Sequence, residues 1–261
     1  MIDTHCHFDF PPFDQSPEDW LSPSHDAGVH HLIVPAVSRQ NWQRVDDLSQ
    51  RFSSIYFAAG LHPVWLSEHQ NEDIAKLDAW LATSPKGCVA IGECGLDFAI
   101  ENPQQERQLH LLREQLALAV KYKLPVILHC RKAHNELLQV LNDFPAVRGV
   151  LHAFSGSEQM GLNYIKRGFM LGIGGTITYP RANKTRNAVS ALPLAAMVLE
   201  TDAPDMPVSG FQGQPNSPEK LPLIAKALSE LKGVTVEEII HSTSQNAANC
   251  FALQKQISSF A

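Results

Sequence analysis

Eight short, unbroken apolar runs, each followed by a stretch with helical spacing, constrain this chain more than any other feature. They are Met1–His7, His31–Val37, Ile55–His62, Cys88–Gly95, Pro125–Cys130, Gly149–Phe154, Phe169–Gly175 and Ala196–Asp202. Strands of a parallel sheet are covered on both faces and read as continuous apolar runs, whereas half-solvated strands alternate. The segments between them predict helices over Glu18–Ala27, Asn41–Phe52, Asp73–Thr83, Pro103–Tyr122, Lys132–Asn142, Gln159–Arg167, Ala182–Ala191 and Pro218–Leu231. A last helix is expected over Thr235–Phe251, opened by Thr235 as N-cap with acids in its first turn. In the clearest helix, Leu109, Leu112, Leu116 and Val120 share a stripe expected to face the core. Strand–helix alternation repeated eight times predicts an α/β chain folded as a (β/α)8 TIM barrel, a single domain over 1–261. A doubly wound open sheet would bring a Gly-rich phosphate turn after the first strand, but HCHFDF stands there.

The ends of those runs carry the chemistry. His5 and His7 are two apart, so on a strand they face the same way while Cys6 faces the other. Two imidazoles on one strand make a bidentate metal anchor. Glu93, His129, His152 and Asp202 close the fourth, fifth, sixth and eighth runs, and His62 closes the third. In a parallel barrel these C-terminal ends converge on one mouth. Four histidines, one glutamate and one aspartate exceed the need of one ion and suit two divalent ions. His5, His7 and Asp202 are expected with Glu93 around one ion, and His129 and His152 with Glu93 around the other. Glu93 is then the bridging carboxylate. Cys6, Cys94 and Cys130 each neighbour a proposed ligand and are expected to point away from the mouth, as small apolar side chains.

Composition narrows the partners. The formal net charge is −6 over 261 residues, which argues against broad electrostatic wrapping of nucleic acid. A small site taking one strand end, its acids offset by bound cations, remains open. Five cysteines, an odd number without CxxC spacing, make no disulfide framework. No apolar run reaches the ~18 residues that span a membrane. No basic region or apolar leader precedes the first strand, so a cytoplasmic protein with no obligate protein partner is expected.

At these residues the sequence is similar to the TatD family of metal-dependent deoxyribonucleases, within the amidohydrolase-like barrels. The matching pieces are DTHCH at 3–7, GLHP at 61–64, GECGLD at 92–97, PVILHCR at 125–131, LHAFSG at 151–156, GIGGTITYPR at 172–181 and LETDAPDMP at 199–207. They stand in family order and cover Met1 to about Pro218. Cys6 departs from the pattern, where the family more often has a small residue such as Ala. The resemblance implies a binuclear centre and phosphodiester hydrolysis, often 3′-to-5′ trimming of DNA. It also implies His5, His7, Glu93, His129, His152 and Asp202 as ligands, the set the strand ends had given.

The chemistry agrees: two cations neutralise a phosphodiester, acidify a water and stabilise the leaving oxygen. Asp202 is the candidate base or orienting group for that water, and Glu93, the bridging carboxylate, is the second catalytic candidate. Glu200, two residues earlier on the same strand, either fixes a ligand histidine or is a structural buried acid. Arg131 either clamps a phosphate or closes a loop salt bridge. His62 either donates to a phosphate oxygen or caps its strand, and Asp97 either supports the metal ligands or braces its loop. Tyr179 and Arg181 either meet a base or phosphate or pack their loop. The remaining histidines, among them His69, are expected on solvated faces, and Asn246 is expected to be structural. The ions expected are Zn, Mn, Fe, Ni or Mg, the last preferring oxygen ligands. The substrate expected is a DNA end or small phosphodiester. Two alternatives are a hydrolase of a small-molecule ester, amide or phosphate on the same centre, and a non-catalytic, metal-stabilised binding protein.

Overall fold

The structure, a computed structural model, describes residues 1–253; the last eight residues of the expected 1–261 domain lie outside the described residues. Its strands are β1 (Ile2–Asp3), β2 (His31–Pro35), β3 (Ile55–Ala59), β4 (Cys88–Asp97), β5 (Val126–Arg131), β6 (Gly149–Leu151), β7 (Phe169–Ile173) and β8 (Met197–Leu199). They join in one sheet in chain order, β1 to β8. The helices are α1 (Pro17–Asp26), α2 (Arg39–Arg51), α3 (Asp73–Leu81), α4 (Gln105–Tyr122), α5 (His134–Asn142), α6 (Glu158–Ile165), α7 (Asn183–Ala191), α8 (Leu221–Lys232) and α9 (Val236–Cys250). This is the (β/α)8 barrel the alternation predicted. The described chain clusters as two compact halves, one of Met1–Val34 with His152 onward and one of Pro35–Leu151.

In the first half β8 returns to the start of the chain. Thr4 N–H donates to Leu199 O at 3.0 Å, Asp202 N–H to His5 O at 2.8 Å and His7 N–H to Ala203 O at 2.7 Å. Cys6 and Ala203 form a parallel bridge. β7 pairs parallel with β8, Gly172 opposite Val198. Buried Ile2, Ile33, Leu171, Val198, Leu199, Tyr164, Ile224 and Leu228 fill the core of this half, each fully buried side chain contributing roughly 1.5–3 kcal/mol. Helix α9 starts as expected, with Glu238 N–H donating to the Thr235 hydroxyl at 3.1 Å. Asn246 on α9 donates to Leu194 O and Met197 O, tying that helix to the foot of β8.

Strands β1, β6 and β8 stop short of the expected ends at His7, Phe154 and Asp202. Past β1 and β8 backbone bonds continue singly between the two segments, and a side-chain network reinforces them. The buried Asp3 carboxylate accepts from Thr201 N–H at 3.0 Å, Thr201 Oγ1 at 2.6 Å and His5 N–H at 3.3 Å. The Thr4 hydroxyl donates to Leu199 O. The ligand-type residues therefore sit just past the regular strands, on backbone that remains pinned.

In the second half β3, β4, β5 and β6 run parallel over a core that includes Phe57, Ile91, Leu96, Leu112, Leu116, Val126 and Ile127. The buried face of α4 is rotated from the expected stripe. Val120 is 45% exposed and Leu109 is half-buried, whereas Gln108 and Gln115 are buried beside Leu111, Leu112, Leu116 and Ala119. Each glutamine clamps the end of a strand. Gln115 accepts from Leu61 N–H at 2.7 Å and donates to Leu61 O at 3.2 Å. Gln108 accepts from Asp97 N–H at 2.7 Å and donates to Asp97 O at 2.9 Å. Backbone left unpaired at strand ends inside a core is costly, and two amides on one helix face satisfy it. A hydrophobic pattern has no means of showing this.

Candidate functional site

In the first half, the segment after β1 carries His5 and His7, and the segment after β8 carries Asp202. Because Asp202 N–H is bonded to His5 O, these side chains start from adjacent backbone. His5 Nε2 lies 3.3 Å from His7 Nε2, and Asp202 Oδ1 lies 3.5 Å from the first and 3.7 Å from the second. The His152 ring stacks on His5, with centroids 4.0 Å apart and planes at 16°. Glu200 approaches His152 Nδ1 at 3.8 Å and accepts from Ala153 N–H. Nitrogen and carboxylate atoms of His5, His152 and Glu200 all lie within 4.8 Å of one another, close enough to hold one ion.

Glu200 is completely buried. Burial pushes its carboxyl up to about 8, against the pull of the His152 charge and the Ala153 N–H. Its Oε2 is buried without a hydrogen-bond partner. A buried carboxylate oxygen normally has a partner, so a cation fits this donor set. The sequence matches the space: a Cβ at Gly172 on β7 would stand 2.1 Å from that oxygen, so only glycine leaves room for the carboxylate. Burial likewise raises the Asp3 carboxyl to about 7, opposed by the bonds from Thr201 and His5.

In the second half, Glu93 on β4 meets two imidazoles. His62 Nε2 lies 2.9 Å from Glu93 Oε1 and His129 Nδ1 lies 3.1 Å from the same oxygen. His129 Nε2 lies 3.0 Å from Asp97 Oδ2, and the other Asp97 oxygen accepts from Ala99 N–H at 2.8 Å. Burial works against the charged Asp97, but the bonds from His129 and Ala99 prevail and hold its carboxyl below the ordinary range. Asp97 thus joins the His129 ring to the backbone of its own loop. Ligand atoms of His62, Glu93 and His129 lie within 4.8 Å of one another.

The hydrogen bonds separate the roles of the two histidines. Val64 N–H donates to His62 Nδ1 at 3.0 Å, so in the neutral ring that nitrogen is unprotonated and the proton sits on Nε2, facing Glu93. His62 in this tautomer is a donor to Glu93 and offers Nε2 no lone pair for an ion. For His129, a proton on Nε2 shared with Asp97 turns the Nδ1 lone pair toward Glu93, the arrangement of a carboxylate–histidine–metal triad. Gly95 permits β4 and β5 to run this close. Its φ is +146°, and a Cβ would stand 2.0 Å from His129 O.

The other expected residues fall as follows. Arg131 is exposed at the end of β5, opposite Asp97 in register. Tyr179 donates its hydroxyl to Pro207 O at 2.6 Å, and the Arg181 guanidinium lies 5.3 Å from the Tyr179 ring centroid. Cys6 and Cys94 are buried, and burial raises both thiols above their ordinary values, which keeps them protonated. His69 corrects an expectation: it is 2% exposed rather than solvated. Its Nε2 lies 2.8 Å from His62 O, and Arg107 donates to His69 O at 2.5 Å, so it holds the segment that carries His62. Sequence reasoning also missed Asp3, Gln108 and Gln115. Only Asp3 had a signal, its place two residues before His5.

The chain matches the model of the TatD related DNase family over residues 2–252. A metal-dependent hydrolase of Escherichia coli (strain K12), YjjV, is 47% identical over 96% of this chain and 97% of its own length. The crystal structure of YjjV, a TatD homolog, superposes with a TM-score of 0.94 at 47% identity, covering 97% of this chain and 98% of that one. A 3′-5′ ssDNA/RNA exonuclease TatD of Cronobacter sakazakii is 31% identical over 96% of this chain and 97% of its own length. With a family match over nearly the whole chain and a fold that agrees, the chain belongs to the family of TatD-related DNases.

Proposed function

We propose that this chain is a metal-dependent phosphodiesterase that trims single-stranded nucleic acid with two divalent ions, held by His5, His7, Glu93, His129, His152 and Asp202. The observation that carries this reading is imidazole set against carboxylate in each half, His5 and His152 beside Glu200 in one and His129 beside Glu93 in the other. A two-ion centre is consistent with one group per half. The Cronobacter relative, named for 3′-5′ action on ssDNA and RNA, supports the substrate class. Imidazole-rich donor sets favour Zn, Mn, Fe or Ni over Mg. Among the described residues no helix is long and apolar enough to cross a membrane.

Ions bound by these donors supply the positive charge that neutralises phosphodiester oxygens and acidifies water. The chain's own residues do the rest. Asp202, its side chain 14% exposed and beside the His5 and His7 nitrogens, is the group that accepts a proton from the attacking water. Glu200, sealed from solvent, holds His152 in place rather than meeting substrate. His62 orients Glu93 by its Nε2–H, and Asp97 orients His129. Arg131, exposed beside Asp97, is placed to take a phosphate by its guanidinium fork.

The test is hydrolysis of end-labelled single-stranded DNA by metal-stripped protein, with Mg, Mn or Zn restored, resolved on a sequencing gel. Stepwise shortening that needs the metal is expected, with Asp202→Asn slower by about 10²- to 10⁴-fold. No cleavage with any ion, despite about two ions bound per chain, would move the activity to a small-molecule ester or phosphate. Full activity in Asp202→Asn would remove the role given to that carboxylate.

A further inference from the structure

Beyond the metal-type residues, the first half contains a cavity of about 310 Å³ lined by Thr176, Tyr179, Arg181, Ala182, Met206 and Pro207. Its walls are the segments that follow β7 and β8, and the second of these carries Asp202 near its start. We propose that this cavity is a subsite for one unpaired nucleotide, its base against Tyr179 and Met206 and its phosphate on Arg181. The proposal rests on the phosphodiesterase reading and adds to it the element that holds a base.

Three observations support it. The first is size. Ligand pockets run from ~300 to ~1,000 Å³, and this one is at the lower end, the scale of a single nucleotide. The second is chemistry. The Tyr179 ring, Met206, Pro207 and Ala182 make apolar walls on which any base can stack without sequence preference. Arg181 is exposed and has no carboxylate partner among the described residues; its recorded contact is the Tyr179 ring face. A guanidinium held over a ring, without an acid to neutralise it, suits a phosphate adjoining a stacked base.

The third is rigidity. The two walls are braced to each other by the Tyr179 hydroxyl on Pro207 O at 2.6 Å and by Ser209 N–H donating to the Thr178 hydroxyl at 2.8 Å. The Thr178 hydroxyl donates in turn to Gly175 O at 2.6 Å. Gly175 lies so close to the facing wall that a Cβ would stand 2.7 Å from Met206 O. A preformed cavity loses less on binding than one that must be ordered. The bond to Pro207 also occupies the Tyr179 proton, so Tyr179 offers its ring face rather than a hydrogen bond. That matches recognition of bases in general rather than of one base.

The test uses metal-stripped protein and fluorescence anisotropy with two labelled single-stranded hexamers, one of ordinary DNA and one with tetrahydrofuran sites in place of bases. Wild type is expected to bind the base-bearing strand tighter. Ala182→Phe, which fills the cavity, should raise Kd for that strand about 5- to 100-fold and leave the abasic strand unchanged. Arg181→Ala, at an exposed position whose contact is the Tyr179 ring, should weaken both strands. Equal wild-type affinity for the two strands, no binding of either, or variants that bind like wild type would each overturn the subsite. Hydrolysis of the same DNA by the metal-loaded wild type is read separately. Cleavage with no change in the variants' binding sinks the subsite alone, whereas the binding pattern without cleavage under any ion sinks the nuclease reading and leaves the subsite standing.

Discussion

Gly172→Ala and Gly174→Ala differ by two positions on one segment, and the structure predicts opposite outcomes. A Cβ at Gly172 would stand 2.1 Å from Glu200 Oε2, 2.6 Å from its Cδ and 2.8 Å from its Oε1. The carboxylate has nowhere to go. Glu200 is completely buried and its Oε1 is bonded to Ala153 N–H. Either that bond breaks or β7 moves away from β8, with which Gly172 is in register. Overpacking of this kind costs about 1–3 kcal/mol, which for a domain near this size lowers Tm by roughly 2–12 °C. Displacing Glu200 also frees the His152 ring, and loss of such a supporting carboxylate weakens metal binding by about 10- to 100-fold. At Gly174 the nearest atom to an added Cβ is 3.6 Å away and φ is −111°, so alanine fits and should be neutral or stabilise by about 0.4–1 kcal/mol. Thermal melts of the metal-stripped proteins and calorimetric titration with Mn or Zn would read both effects. Gly172→Ala with an unchanged Tm and unchanged metal affinity would refute the reasoning, as would equal damage from Gly174→Ala.

Burial raises Asp3 to about 7 and Glu200 to about 8, so each holds its proton more tightly folded than unfolded. Their stabilisation is complete below the ordinary carboxylate range and is lost as pH rises toward 7–8. The urea midpoint of metal-stripped protein should therefore fall between about pH 5 and pH 8, and Glu200→Gln should flatten that slope. Gln115→Leu strips Leu61 of partners for both its N–H and its C=O and should cost about 2–4 kcal/mol in a denaturant melt, while a loss under ~0.5 kcal/mol would mean the clamp is idle. Asp97→Ala removes the partner of His129 Nε2 and should weaken metal affinity by about 10-fold or more, seen by competition with a chelating dye.

The barrel was legible because its strands are wrapped on both faces. Such strands need no alternation, so each stands out as an apolar run, and eight of them alternating with helices leave few other folds. Strand ends were less legible. The apolar run continues to His7, yet the regular strand stops at Asp3, and beyond it single backbone bonds to the segment after β8 are reinforced by side-chain bonds of Asp3 and Thr4. The α4 stripe was misjudged because polar residues were assumed to face water, whereas Gln108 and Gln115 are buried to satisfy strand ends that only the folded chain brings beneath them. The same holds for His69: its residue type suggests solvent, and only the folded segment brings its Nε2 to the His62 carbonyl.

The element order, the parallel sheet and the residue types that close its strands follow from local periodicity and from the spacing of His5 and His7. Which of those residues touch depends on the packed fold. It set His152 flat on His5, put Glu200 into the space left by Gly172, turned His62 into a donor to Glu93 and buried Glu200 until its carboxyl titrates near 8. Those are properties of contacts between segments distant in the chain. Dielectric environment, hydrogen-bond tautomer and steric room exist only once those segments are packed.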